Sequence, residues 1–231
     1  MSEAEPKTVE PMWPAGASEE YVAARMELAK AERALRDRIE EVAAARRRMP
    51  PGRVLGRYSF AEGPADLGRA EPVRETALRE LFGEHRTLVV YHLMFHPDDD
   101  EACPMCSMWV DGFRGVTHHL AQHAGFAVIG KAPLPKLRAW AARRGWSGLR
   151  ILSSHGTSFN ADLHAERANG DQRPMISVFT AEGEAVRHFY SLPANFLDDS
   201  QRGIDLLSPV WNVLDLLPGG RGEWYAGNDY A

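Results

Sequence analysis

Residues 87–106 read TLVVYHLMFHPDDDEACPMC, and this stretch decides the fold class. Its first part, Thr87 to Phe95, is a near-continuous run of β-prone apolar residues, the pattern of a strand buried on both faces. An acidic loop, His96 to Ala102, follows, and then the tetrad Cys103-Pro104-Met105-Cys106. Proline suits the first turn of a helix because it lacks an N–H that would go unpaired there. The tetrad is therefore expected to open a helix running to about His123. Val110, Phe113, Val116 or Thr117, and Leu120 would form the stripe that holds it on a sheet.

Working outward, Gly125–Gly130 reads as a second strand, Leu134–Arg144 as a helix and Leu149–Leu152 as a third strand. A polar loop is expected over 153–173. Met175–Phe179 and Ala185–Tyr190 flank Ala-Glu-Gly-Glu, a β-hairpin pattern. A last helix should start at Ser208-Pro209 and stop at Pro218-Gly219-Gly220, with Val210, Leu214 and Leu217 buried. Strands alternating with helices indicate an α/β sheet, and the late hairpin adds antiparallel strands. Upstream, residues 52–84 read as irregular, with a short strand at Arg53-Val54-Leu55 and a short helix from Thr76 to Phe82. The expected organisation is a loose arm over 1–17, a helix over 18–49 and one domain over 50–231. Ser18 is the expected N-cap, and Arg46, Arg47 and Arg48 suit the negative end of the dipole. Tyr21, Leu28, Leu35 and Val42 recur every seventh position, a stripe suited to docking on the domain or to pairing two copies as a homodimer.

The chain has 231 residues and a formal charge of −5, without a block of lysine or arginine, which argues against a nucleic-acid partner. No window offers the roughly 20 apolar residues that cross a bilayer, so no membrane partner is expected. The N-terminus lacks the apolar stretch of a secretory signal, which points to the cytoplasm. With only two cysteines, three positions apart, no disulfide framework can staple the fold. The pair calls for a chemical explanation.

A thiolate is the reactive form of cysteine, and a helix N-terminus favours it with backbone N–H donors and the positive dipole end. Cys103 is the expected nucleophile, and Cys106, one turn on, the resolving thiol. The expected activity is thiol–disulfide oxidoreduction on a protein or small-molecule thiol or disulfide. Against thiolate formation stands the acidic run Asp98 to Glu101, since like charges raise a cysteine's pKa. Trp109 either walls the site or fills core. His155, after the third strand, is either a general base near the dithiol or a loop histidine bonding backbone. No glycine-rich phosphate loop follows a strand, so no organic cofactor is expected.

The tetrad between a buried strand and a helix resembles the site of glutaredoxins and thioredoxins. Arg173-Pro174-Met-Ile-Ser-Val-Phe179, followed by a Glu-Gly turn, is similar to the cis-proline strand of that superfamily. Tyr91–Phe95, Cys103–Phe113, Ser153-Ser-His-Gly156 and Gly203–Leu207 resemble a bacterial thioredoxin-like family catalogued as a domain of unknown function, number eight-nine-nine. The resemblance implies a thioredoxin-like fold, a central mixed sheet flanked by helices, with an N-terminal helical extension. It also implies that Pro174 is the cis-proline facing the dithiol; Pro104, Met105, Trp109, Pro174 and His155 are the expected residues of the substrate groove. The peroxiredoxin pattern of Pro and Thr or Ser before the cysteine is absent, with Asp at position 100, so peroxide reduction is the secondary form of the activity.

A non-catalytic, metal-binding or partner-binding protein is the alternative. Cys103-x₂-Cys106-x₁₂-His119-x₃-His123 has zinc-finger spacing, yet one straight helix puts His119 roughly 20 Å from Cys106. His118, His119 and His123 read more simply as a solvated face. His92, Met94 and His96 with Cys103, Met105, Cys106 and Met108 supply ligand types suited to Cu(I).

Overall fold

The computed structural model describes residues 12–196 and 201–230. Internal contacts divide the chain into two units, Met1–Pro50 and Pro51–Ala231. In the first, α1 (Glu19–Arg47) is capped by Ser18, whose hydroxyl accepts from the Tyr21 N–H at 3.2 Å. Glu19 and Glu20 sit at its positive end and Arg46 and Arg47 at its negative end. No residue of α1 is buried, and its heptad stripe is exposed. Of the arm expected over 1–17, residues 1–11 lie outside the described residues.

The second unit is built on seven strands: β1 (Ser59–Glu62), β2 (Arg74–Ala77), β3 (Thr87–Leu93), β4 (Gly125–Gly130), β5 (Ile151–Ser153), β6 (Met175–Glu182) and β7 (Ala185–Pro193). Their order in the sheet is β2-β1-β5-β4-β3-β6-β7. β3, β4 and β5 are mutually parallel, and β6 runs antiparallel to β3 from Thr87↔Thr180 to His92↔Met175. β6 and β7 form the expected hairpin, closed by Gly183 at φ 60°. Glycine carries that left-handed conformation without a Cβ clash. α2 (Pro104–Leu120) connects β3 to β4, and α3 (Leu134–Arg143) connects β4 to β5. Two short helices, α4 (Phe159–Asp162) and α5 (Pro209–Leu214), complete the set. A mixed sheet with the dithiol helix after β3, the strand at which the parallel and antiparallel parts of the sheet meet, is the thioredoxin-like arrangement.

Alternation along β3 sorts the core. Tyr91 and Leu93 face α2 and α3, packing with Cys106, Val110, Phe113 and Trp140. Leu88 and Val90 face the other way, against Phe60, Leu81, Phe159 and Phe179. Both faces are covered, as the unbroken apolar run of β3 requires.

Four expectations need correcting. Residues 52–84 are not irregular: β1 and β2 pair as an antiparallel hairpin, and β1 joins the sheet through β5. Their strands are four residues each, too short to show an alternation, and a buried carboxylate, Glu62, sits in one of them. Glu62 accepts from Arg150, Arg74 and Thr76, so a charge in the sequence marks the inside of the sheet here. The helix after the tetrad ends at Leu120, and of the two stripe alternatives Val116 is exposed while Thr117 is half-buried. The loop over 153–173 contains α4, which carries the buried Phe159. α5 stops at Leu214, with Trp211 as its buried residue, while Leu217 is 49% exposed.

Candidate functional site

The tetrad is held where β3 ends. Met94 carbonyl accepts from the Cys103 N–H at 3.0 Å, which closes the acidic loop and brings Cys103 back beside the strand. Cys103 is the N-cap residue of α2, with Pro104 in the first turn, and its carbonyl accepts from Ser107 N–H at 2.9 Å. The three-residue spacing then turns the two sulfurs to different environments. Cys103 is partly buried at the edge of a cleft, and Cys106 is fully buried against Tyr91 and Met94.

The thiols titrate apart. Cys103 is lowered from 9.0 to about 6: the Cys106 S–H donates to it, and the Cys106 and Met105 backbone N–H groups add to this against the opposing effect of burial. Burial pushes the Cys106 thiol well above its ordinary value, and the Cys103 sulfur beside it pushes the same way. The Tyr91 hydroxyl is buried beside Cys106 without a well-formed hydrogen bond; burial and the two sulfurs hold it protonated.

The acidic loop does not act as its sequence suggested. The Glu101 carboxylate accepts from Asn228 Nδ2 at 2.8 Å and from Arg143, and both hold its pKa down. Asp98 is almost wholly exposed and faces His96. Charge screened by solvent or neutralised by a partner has little reach to the sulfur.

The cleft beside Cys103 has a volume of about 660 Å³. Met105, Trp109 and Pro174 line it, as expected of groove residues. Trp109 serves both readings at once, since it is also packed in the core. Pro104 instead lines a second, smaller cleft on the far side of Cys103, with His96, Glu101 and Gln172. Pro174 corrects the resemblance in one respect. Among the described residues the cis peptide is Glu71–Pro72, and Arg173–Pro174 is trans. Its backbone is pinned on both sides, by Arg173 N–H to Ala165 O and Ala194 N–H to Pro174 O, in that geometry. His155 is exposed, with its N–H on Ser153 Oγ, and it lines neither cleft beside Cys103. It is a loop histidine bonding a side chain nearby.

Sequence reasoning missed the C-terminal segment. Ala226 is buried in the core, Asn228 binds Glu101 and the Ala102 carbonyl, and Asp229 pairs with Arg143. The chain thereby lays Trp224 and Tyr225 along the cleft that Cys103 and Cys106 also line. Aromatic residues in a polar stretch with no periodicity, Trp224-Tyr225, were the available signal. Arg173, Trp211 and Arg221 also line the cleft and were not singled out. Arg221 lies over the Trp211 ring at 4.5 Å and pairs with Asp205 and Asp215.

The ligand types weighed for a metal fall in different places: Met94, Cys103, Met105 and Cys106 share one cleft, and the histidines lie away from it. Among the described residues no group of three His, Cys, Asp or Glu side chains converges on a point where an ion would sit. His118 and His119 are exposed at the far end of α2, away from the tetrad. His92 points to the opposite face of the sheet from Cys106, stacked on Phe159 and bonded to Ser177 Oγ at 2.9 Å. Burial lowers its pKa to about 3. Among the described residues, no helix is long and apolar enough to cross a membrane.

Solved structures similar to this chain include the reduced 2-Cys peroxiredoxin of Plasmodium vivax, 13% identical, covering 69% of this chain and 93% of its own, with a TM-score of 0.49. Mycobacterium bovis AhpC is 14% identical and covers 79% of this chain and 98% of its own, also at 0.49. Enterococcus faecalis AhpC is 12% identical, with coverages of 68% and 87% and the same TM-score. No curated protein sequence matches the chain. A family profile does match, over residues 11–230, and by it the chain belongs to the bacterial proteins of unknown function DUF899.

Proposed function

We propose that this protein is a thiol–disulfide oxidoreductase in which Cys103 attacks and Cys106 resolves. One observation carries the reading: a sulfur at the edge of a cleft caps a helix N-terminus, where the Cys106 S–H and backbone N–H groups hold its pKa down, while the sulfur one turn behind it is buried, which holds its pKa up. At neutral pH this is a nucleophile with its resolving partner still protonated, one turn behind it on the same cleft.

The Cys103 thiolate attacks one sulfur of a substrate disulfide. A mixed disulfide forms, and the first half of the substrate leaves as a thiolate. Cys106 then gives up its proton to solvent and attacks the Cys103 sulfur. The second half leaves, and a Cys103–Cys106 bond remains. Two electrons pass from the dithiol to the substrate. Attack by Cys103 on the substrate removes the negative charge that the Cys106 S–H had been stabilising, so the donor is released before it becomes the nucleophile. Pro174 and Trp109 border the space the substrate sulfur must enter.

The test is thiol titration and peptide mapping after a stoichiometric disulfide is added to the reduced protein. Wild type should lose both thiols and gain a Cys103–Cys106 bond that dithiothreitol reverses. Cys106→Ser should stop at a mixed disulfide on Cys103, and Cys103→Ser should leave Cys106 unmodified. A wild-type protein that keeps both thiols under these conditions refutes the reading.

A further inference from the structure

Four arginines line the cleft beside Cys103 (Arg167, Arg173, Arg202 and Arg221) against two carboxylates, Asp205 and Glu223, in a chain whose net charge is −5. Arg202 and Arg221 are spent on Asp205 and Asp215. Arg173 differs. It is half-buried at the start of β6, next to Pro174, and its guanidinium makes neither an ion pair nor a hydrogen bond with the described residues, although its backbone N–H is fixed on Ala165 O at 2.8 Å. A planar fork of donors on a cleft, unpaired among the described residues, matches a carboxylate or similar oxyanion. Around it, Trp109, Trp211, Trp224, Tyr225 and Phe196 give the cleft an aromatic wall. The volume of about 660 Å³ is that of a site for a small organic molecule, not of one shaped for two atoms.

We propose that the cleft takes a small organic disulfide with a flat apolar body and an anionic group, and that Arg173 holds that group. The proposal rests on the oxidoreductase reading above and adds the substrate class. In the reaction the aryl or similar body lies against the aromatic wall while Arg173 binds the oxyanion. The Cys103 thiolate displaces one arylthiolate, and Cys106, losing its proton to solvent, displaces the second and closes the Cys103–Cys106 bond.

The probes are dithiobis(nitrobenzoate), an anionic aromatic disulfide, and dithiodipyridine, its neutral counterpart. Each second-order rate with the reduced protein is divided by the rate of the same reagent with N-acetylcysteine, which removes intrinsic reactivity. Wild type should favour the anionic reagent by about tenfold on this scale, as one charge-assisted hydrogen-bonded pair in a partly screened cleft gives. Added salt should shrink that preference. Arg173→Gln should bring the ratio close to one, and Arg173→Lys should keep most of it. No preference in wild type, or a ratio unchanged in Arg173→Gln, overturns the substrate class while the dithiol chemistry stands. If neither reagent yields the Cys103–Cys106 bond in wild type, the oxidoreductase reading falls, and this proposal with it.

Discussion

The low pKa of Cys103 is traceable to one neighbour, and removing that neighbour is the sharpest perturbation available. The largest contribution to the drop from 9.0 to about 6 is the hydrogen bond from Cys106; the backbone N–H groups of Cys106 and Met105 supply the rest. Cys106→Ala deletes the donor and leaves the backbone in place. A hydrogen bond to a charged acceptor is worth about 1.5–3 kcal/mol, which corresponds to a rise of about one to two in pKa. The thiolate fraction of Cys103 at pH 7, about 0.9 when the pKa is about 6, should fall to between roughly 0.5 and 0.1. Alkylation by iodoacetamide at pH 7 should slow about two- to tenfold, with its pH midpoint moved up to match. Cys106→Ser retains an O–H donor and should keep the midpoint near 6. The measurement is the pH dependence of the alkylation rate at Cys103, read by mass spectrometry. A wild-type midpoint near 9, or one that is the same in wild type and Cys106→Ala, refutes the argument.

Three further outcomes are expected. The depressed Cys103 pKa stabilises the reduced fold: the effect is complete above the unfolded value of 9.0, is about 1.4 kcal/mol at pH 7 and is gone about one pH unit below 6. Between pH 7 and 5 the reduced wild type should therefore lose about 1.4 kcal/mol more than Cys103→Ser in urea unfolding, and equal losses would contradict it. Tyr91→Phe removes a buried hydroxyl that has no well-formed partner, so the melting temperature of the reduced protein should hold or rise; a loss above about 1 kcal/mol would mean the hydroxyl is bonded. Glu62→Gln should cost about 2 kcal/mol by denaturant midpoint, because Arg150, Arg74 and Thr76 all donate to that carboxylate, and a change under about 0.5 kcal/mol would show the network to be idle.

What was legible in the sequence was local. Ser18 caps α1 because a hydroxyl one residue before an acidic first turn has few other uses, and the break at Pro50-Pro51-Gly52 is equally direct. The apolar run from Thr87, the proline after Cys103 and the Glu-Gly turn each mark a structure by covalent or steric constraint alone. What was not legible depends on residues far apart in the chain. Glu62 looks like a surface charge until Arg150 and Arg74 stand on either side of it. The β1–β2 hairpin, for the same reason, hides in a stretch rich in charge, glycine and proline. Pro174 lies on the cleft, but its backbone is held by Ala165 and Ala194, contacts that no motif encodes.

The acidic loop shows how far such distant contacts reach into the chemistry. Read along the chain, four carboxylates in a row before Cys103 should oppose a thiolate. In the fold, Glu101, the nearest in sequence, is occupied by Arg143 from α3 and Asn228 from the C-terminal segment. Asp229 then shares Arg143, so the last residues of the chain tie α3 and the loop together. The same segment carries Trp224 and Tyr225 into the cleft. One stretch of backbone thus both removes an electrostatic obstacle to the nucleophile and builds a wall of the space in front of it. Groups that surround Cys103 therefore lie partly at positions 224–229, more than a hundred residues from the motif that announces the site.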